Sequence, residues 1–304
     1  MKSIEKYLLS SHEQFDYIIN ESCDFYGFRK ISKKFGRSKV WAHAHCYVRA
    51  DWYIDSMYGR IIAVSEFIKA GWLKTSKRLS SDIIVLKNGI EIERFEKNVE
   101  EGQLEKLRQE MGVGKDDFII LFCGRIVPQK GIKELLSAVI NLGDPLIKLI
   151  IVGSPQFALK TNSKYLNEVK QMVNNNKENI RFSGYIDNKD LYKYYALADI
   201  SVVPSTYEDP APLVPIESMA SGTPMIISNT GGAWEYVDES CAIKVVKEKN
   251  FVENLQQAIL IFKNDKQRCK RMGISAYERG KLFTAMKYYL NFAELFEGNH
   301  EDCL

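Results

Sequence analysis

"DISVVPSTYEDPAPLVPIESMASGTPMIIS", Asp199 to Ser228, reads as strand, stiff loop, short helix and strand in thirty residues. "DISVVPS" (199–205) is a continuous apolar run of the kind buried on both faces of a parallel sheet. "TYEDPAP" (206–212) holds two prolines that can extend neither helix nor central strand. In "LVPIESMASG" (213–222) the apolar spacing becomes helical, Pro215 is tolerated in the first turn and Gly222 closes the segment. "TPMIIS" (223–228) then starts a second buried strand. Two strands joined through a helix are parallel, and the crossover is right-handed.

The same alternation extends in both directions. Apolar runs bounded by turn residues recur at "FDYIIN" (15–20), "KVWAHAHC" (39–46), "GRIIAVS" (59–65), "DIIVLKNG" (82–89), "FIILFCG" (118–124), "LIKLIIVG" (146–153), "IRFSGY" (180–185) and "CAIKVV" (241–246). Between them "GIKELLSAVINL", "SKYLNEVKQMVNNN" and "NKDLYKYYALA" carry helical three-and-four spacing. The fold class is therefore α/β with parallel sheets. Residues 116–270 hold enough strands for a full Rossmann-like domain. Residues 1–95 offer only three convincing strands, about half of a doubly wound sheet. The charged segment 96–115 reads as a linker, and 271–304 as an aromatic-rich helical segment suited to packing against a neighbouring domain.

The chain has 304 residues, 45% of them apolar, enough for about two domains. A net charge of +3, from 42 Lys and Arg against 39 Asp and Glu, is too small to indicate nucleic acid as a partner. Six cysteines show no CxxC pair and no metal-ligand spacing, which fits a reducing compartment. The N-terminus lacks a signal-type apolar core and no run is long enough to span a membrane, so a cytoplasmic protein is expected. The ending "EDCL" is not a prenylation box, because its cysteine is second from the end.

Three places could carry chemistry. Gly124 ends a strand and Arg125 and Lys130 follow before a helix, placing two cations at the edge where open α/β sheets bind ligands. They form an anion site or, alternatively, a solvated loop pair. Glu217, one turn into the helix after "YEDPAP", is either a capping residue or an acceptor for a sugar diol beside free helix amides. His43 and His45 fall on one face of a strand. The cluster "RKISKKFGRSK" (29–39), with six Lys or Arg in eleven positions, and "FIKAGWLKTSKR" (67–78) suit an anionic membrane surface or an ordinary solvated face.

"CGRIVPQKGIKELLSAV", "IIVG", "IRFSGYI" and "YYALADISVVPSTYEDPAPLVPIESMASGTPMIISNTGGAWEYV" together resemble the nucleotide-sugar-binding domain of glycosyltransferase family 4, retaining enzymes of the GT-B fold, in its bacterial envelope-polysaccharide type. "GRIIAVSEFIKAGW" and "IIVLKNGIEIERF" resemble the same family upstream. The resemblance implies a nucleotide-sugar domain at 116–270 and a partial acceptor-side domain at 1–95. It implies transfer from a nucleotide-diphosphate sugar, UDP by family frequency, to a cell-envelope glycan or lipid-linked acceptor at the inner membrane face, with no metal and no other cofactor. Arg125 and Lys130 match the cations on the leaving diphosphate, with Gly124 ahead of them. Glu217 matches the carboxylate on the ribose, and Asp209 the one on the donor sugar, with Glu208 one place out of register. Gly184, Tyr185 and Ile186 match the turn that frames the base. Leu213 and Val214 stand at the helix entry, where the family's Phe-Gly is replaced by Ala211-Pro212, and His45 matches the histidine on the acceptor side. The family's first strand and Gly-rich loop have no counterpart here, so "FDYIIN" is expected to leave an apolar edge that a second chain could complete. That sets an alternative beside the active enzyme: an inactive sugar-nucleotide-binding subunit or remnant that associates with another transferase.

Overall fold

The computed structural model describes residues 2–21, 23–96, 99–154 and 164–297. Ser163, which opens the "SKYLNEVKQMVNNN" pattern, and the tail 298–304 with Cys303 lie outside the described residues. The chain divides into two compact units, Met1–Asn88 with Tyr288–Leu304, and Gly89–Lys287.

The first unit is built on a four-stranded parallel sheet in the order β1-β2-β3-β4, formed by Ile18–Asn20, Val40–Ala44, Arg60–Ala63 and Ile83–Val85. All four early apolar runs are strands, one more than the three the sequence reading held convincing. β2 is buried at every position, as a central strand covered on both faces must be. β1 is an edge strand, but the apolar edge expected of it is small. It has three residues, of which Ile18 and Asn20 are buried, and the Asn20 amide is spent on Tyr58 and the Asp24 carbonyl.

The second unit is a six-stranded, all-parallel sheet in the order β10-β9-β8-β5-β6-β7, from Phe118–Cys123 (β5), Ile147–Val152 (β6), Ile180–Gly184 (β7), Ile200–Val203 (β8), Met225–Ser228 (β9) and Ala242–Val245 (β10). Alternation along β5 sends Phe118, Ile120 and Phe122 to one face, against helices Ile132–Leu142 and Phe251–Asn264. Ile119 and Leu121 go to the other face, against Tyr194, Tyr195 and Leu197. Both faces are thus dry, and each unit is an α/β layer on its own parallel sheet.

The segment 96–115 is not a linker. Glu101–Met111 is a helix whose Leu104, Leu107 and Met111 pack with Tyr194 and Tyr195, and Gly112 (φ 60°) ends it in the left-handed conformation. Its charges are the solvated face of that helix. The chain passes between units at Asn88–Gly89 instead. The C-terminal segment is likewise two helices. Lys266–Gly280 belongs to the second unit, while from Tyr288 the helix Ala285–Glu297 counts with the first. There Phe296 stacks on Trp41 at 5.0 Å and 8°, beside Leu86 and Phe292.

Several residues of the basic segments make structural contacts. Lys34 Nζ donates to the carbonyls of Leu8, Leu9 and Ser11, Arg37 to that of Tyr58 and Lys39 to that of Phe15, while Arg29 lies over the Tyr53 ring. Trp72 is buried with its indole N–H on Asp55, and Arg78 is bound to the same carboxylate. Cations held in this way tie backbone, while all six of the 29–39 cluster stay exposed. No helix among the described residues is long and apolar enough to cross a membrane.

Candidate functional site

In the second unit, the strand order reverses at β5, whose neighbours are β6 on one side and β8 on the other. Crossovers on either side of such a strand leave a crevice at its C-terminal end. Gly124, Arg125 and Lys130 lie on the segment leaving β5, Glu208, Asp209, Leu213, Val214 and Glu217 follow β8, and Gly184, Tyr185 and Ile186 end β7. The sheet therefore delivers the sequence-predicted residues of this unit to one edge.

Glycines let the backbones meet there. A Cβ on Gly131 (φ 68°) would lie 1.8 Å from the Pro204 carbonyl oxygen, and one on Gly153 equally close to that of Gly124. Side chains are excluded at both places, so the β5 and β8 loops touch directly. Thr206 completes the contact through its amide on Gln129 O at 2.9 Å and its hydroxyl on Pro128 O at 3.0 Å.

Lys130 and Asp209, 79 positions apart, form an ion pair with side chains 22% and 15% exposed. Asp209 is the inward carboxylate of the loop, and Glu208 is exposed. Asp209 is held through its backbone as well: its carbonyl accepts from Gly232 N at 2.9 Å, and Gly231 (φ 61°) leaves it the necessary space. The Arg125 side chain is exposed and has no hydrogen-bond or ion-pair partner among the described residues. A free guanidinium beside a neutralised lysine can accept an anion without first breaking a contact.

Glu217 sits in the helix Val214–Ala220, and the hydroxyl of the fully buried Tyr195 donates to its Oε2 at 2.9 Å. Burial raises the Glu217 carboxyl above the ordinary range, partly offset by that hydrogen bond. The same burial pushes the neighbouring Cys123 thiol up to about 12, with the Glu217 charge adding to it. The helix entry offers few donors. Ile216 N and Glu217 N already bond the Leu213 carbonyl, and Pro212 and Pro215 have no N–H, so Leu213 N and Val214 N are the amides left for a ligand. Gly184 adopts φ 80°, with its carbonyl accepting from Gly153 N at 2.8 Å, Tyr185 is exposed, and Ile186 packs on the core.

His45 belongs to the first unit, just past the end of β2, and is described there by itself. Its Nε2 lies 2.8 Å from Glu21 Oε2, and the His43 Nδ1 lies 3.0 Å from both oxygens of the same carboxylate. Glu21 follows β1, so neighbouring parallel strands bring it to the histidines.

Sequence reasoning missed Tyr195, Gly231 and Glu21. Tyr195 reads as one apolar position of "LYKYYALA", and only the fold aims its hydroxyl at Glu217. "TGG" (230–232) marks a turn without naming what it packs on. Glu21 stands in a polar turn, 22 residues from its nearer histidine.

The family model described as "Glycosyl transferases group 1" matches residues 103–279. The lipopolysaccharide 1,2-N-acetylglucosaminetransferase of Salmonella typhimurium is 28% identical over 75% of this chain and 58% of its own length. The spore coat protein SA of Bacillus subtilis is 29% identical over 61% of this chain and 50% of its own. The chain thus spans about half the length of the curated relatives it matches. Among solved structures, Anabaena Alr3699/HepE in complex with UDP superposes with a TM-score of 0.83 at 20% identity, covering 98% of this chain and 81% of that one.

Proposed function

This chain belongs to the glycosyl transferases group 1, and from that premise we propose a retaining transferase. It moves a hexosyl or N-acetylhexosaminyl group from a UDP-sugar to a cell-envelope glycan or lipid-linked acceptor, at the cytoplasmic side of the membrane. The observation that carries the reading is the meeting, at the edge where β5 and β8 diverge, of a free arginine, a lysine–aspartate pair and a buried, tyrosine-held carboxylate. That combination suits a nucleoside diphosphate bearing a sugar.

In this reading Arg125 and Lys130 take the diphosphate, together with the amides of Leu213 and Val214. Glu217 accepts from the ribose diol, and the backbone of Gly184 to Ile186 frames the base. Asp209 turns from Lys130 toward the donor sugar once phosphate oxygens compete for the lysine. Departure of the diphosphate builds negative charge among donors already in place, which is how such a site lowers a barrier. The leaving phosphate can take the proton of the incoming hydroxyl, so neither a metal nor another cofactor is needed. His45 takes a hydrogen bond from a sugar hydroxyl. The Anabaena protein crystallised with UDP, and with UDP-glucose, supports this choice of donor class.

The test is release of UDP from a panel of UDP-sugars by the purified protein, with and without glycan acceptors. Release that requires one donor supports the proposal. Tight UDP binding with no release, for any donor and acceptor, would favour the inactive subunit, a reading to which the open edge of β1 lends some support as a place for a second chain.

A further inference from the structure

The constellation in the first unit that the donor chemistry does not use is Glu21, His43 and His45, whose ligating atoms all lie within 4.8 Å of one another. Period-two alternation puts His43 and His45 on one face at the C-terminal end of β2, ring centroids 4.1 Å apart. They differ in exposure: the His43 side chain is 1% exposed and that of His45 38%. Between them stands a single carboxylate.

Glu21 is ionised across the working pH range, since hydrogen bonds from His43 and His45 hold its carboxyl down at about 2. A carboxylate has no proton to give, so both rings must donate to it. His43 therefore carries its proton on Nδ1 and His45 on Nε2. For His43 that is the tautomer that imidazole disfavours in water, a mark of the carboxylate's influence. It leaves the buried His43 Nε2, which has no partner among the described residues, as a bare acceptor and not as a stranded donor. For His45 it leaves Nδ1, unpartnered among the described residues, as the atom available to a ligand.

We propose that Glu21 is a positioning residue: it fixes both tautomers and the tilted, close pose of the two rings, so that His45 offers an Nδ1 lone pair, an acceptor only, to a ligand hydroxyl. The inference rests on the role given to His45 above. It adds that the histidine recognises a hydroxyl by accepting its proton in a hydrogen bond, and that an ether or a deoxy sugar at that point loses the contact. A metal ion is the competing use of these atoms. A metal on His43 Nδ1 would force the proton onto the buried Nε2, which has no acceptor. It would also have to displace a carboxylate oxygen that already bridges the two nitrogens at 2.8 and 3.0 Å. The hydrogen-bonded relay needs neither change.

The experiment reads the tautomers directly, by long-range proton–nitrogen NMR on the intact protein in its parent, Glu21→Gln and Glu21→Ala forms. The parent should show His43 protonated at Nδ1 and His45 at Nε2. Glu21→Ala leaves neither His43 nitrogen with an acceptor, so both rings should become mixtures of tautomers. Glu21→Gln, which keeps one acceptor oxygen and puts an NH2 donor at the other carboxylate position, should leave at least one ring in its parental tautomer. Unchanged tautomers in Glu21→Ala would overturn the proposal. So would visible absorption bands on titrating the parent with cobalt(II) that vanish in His45→Ala, because the cluster would then be a metal site. In a transfer assay Glu21→Ala should lower kcat at least 10-fold with UDP affinity unchanged, and a rate within twofold of the parent would also overturn it. If the parent transfers no sugar at all, the proposed function fails while the tautomers still decide what Glu21 does.

Discussion

Lys130 is the residue on which most of the chemistry turns. Among the described residues it is the member of the proposed diphosphate clamp that is already paired, so its removal both deletes a cation and leaves the Asp209 charge unopposed. Lys130→Ala should lower turnover roughly 100-fold, equivalent to about 2.7 kcal/mol of barrier, measured as UDP release under saturating donor. Near-parental turnover would remove Lys130 from the site. Glu217 makes a second prediction, in which function and stability run in opposite directions. An acid raised by burial favours the fold while protonated and loses that advantage as pH rises through its folded value. Glu217→Gln should therefore gain thermal stability relative to the parent as pH rises from 4 toward 7. The same change should remove the gain in UDP affinity that the parent shows over that range, because the diol needs the ionised carboxylate. Calorimetry at several pH values reads both. Gly131 makes a third: Gly131→Ala puts a methyl 1.8 Å from the Pro204 oxygen at φ 68°, which should cost about 2–4 kcal/mol in urea unfolding. At this scale the sequence exposed the charges and carboxylates but not their partners. Asp209 was separated from Glu208 by resemblance alone, and the pairing with Lys130 across 79 positions has no local signature.

Among the elements, the ten strands of the described residues could be read as apolar runs, most clearly the central ones, which are buried on both faces and leave no polar alternation to confuse them. The charged helix Glu101–Met111 was misread because its apolar stripe is only Leu104, Leu107 and Met111. Its ionic residues outnumber them, and a charged face looks like a linker until something packs on the other side. The cluster 29–39 was only partly legible for a related reason: a run of cations declares its charge, but not which carbonyls wait for it. Lys34 donates to three carbonyls at the end of helix Lys2–Ser10, so Lys34→Ala should destabilise the first unit by about 1 kcal/mol. A chemical denaturation curve of the variant that overlays the parent would show the cap to be idle. Charge reversal at Lys34 is for the same reason a poor probe of membrane binding, and Lys74 and Lys77, which are exposed, are better ones.

For the whole molecule, the second unit carries its own clusters of buried side chains on both faces of its sheet and all of the proposed donor residues. A fragment spanning 89–287 should fold alone and bind UDP within about 10-fold of the intact chain, read by titration calorimetry. A fragment that aggregates or binds nothing would overturn that independence. The first unit should behave differently, since its buried Trp41 and Leu86 are covered by residues from the far end of the chain. Truncation before Tyr288 removes Phe292 and Phe296 from that cover.

The sequence by itself determined the fold class, the strand list, the edge at which a ligand would sit and the family resemblance. Hydrophobic period, prolines and glycines act over a few residues, and a linear reading reports what acts at that range. Only the tertiary structure decided that Lys130 meets Asp209, that Tyr195 holds Glu217, that Glu21 stands between two histidines, and that Lys34 ties down the end of the first helix. Each of those joins residues from different strands or helices. The hydrogen-bond geometry that decides between a solvated charge and a working one exists only after the sheets have formed.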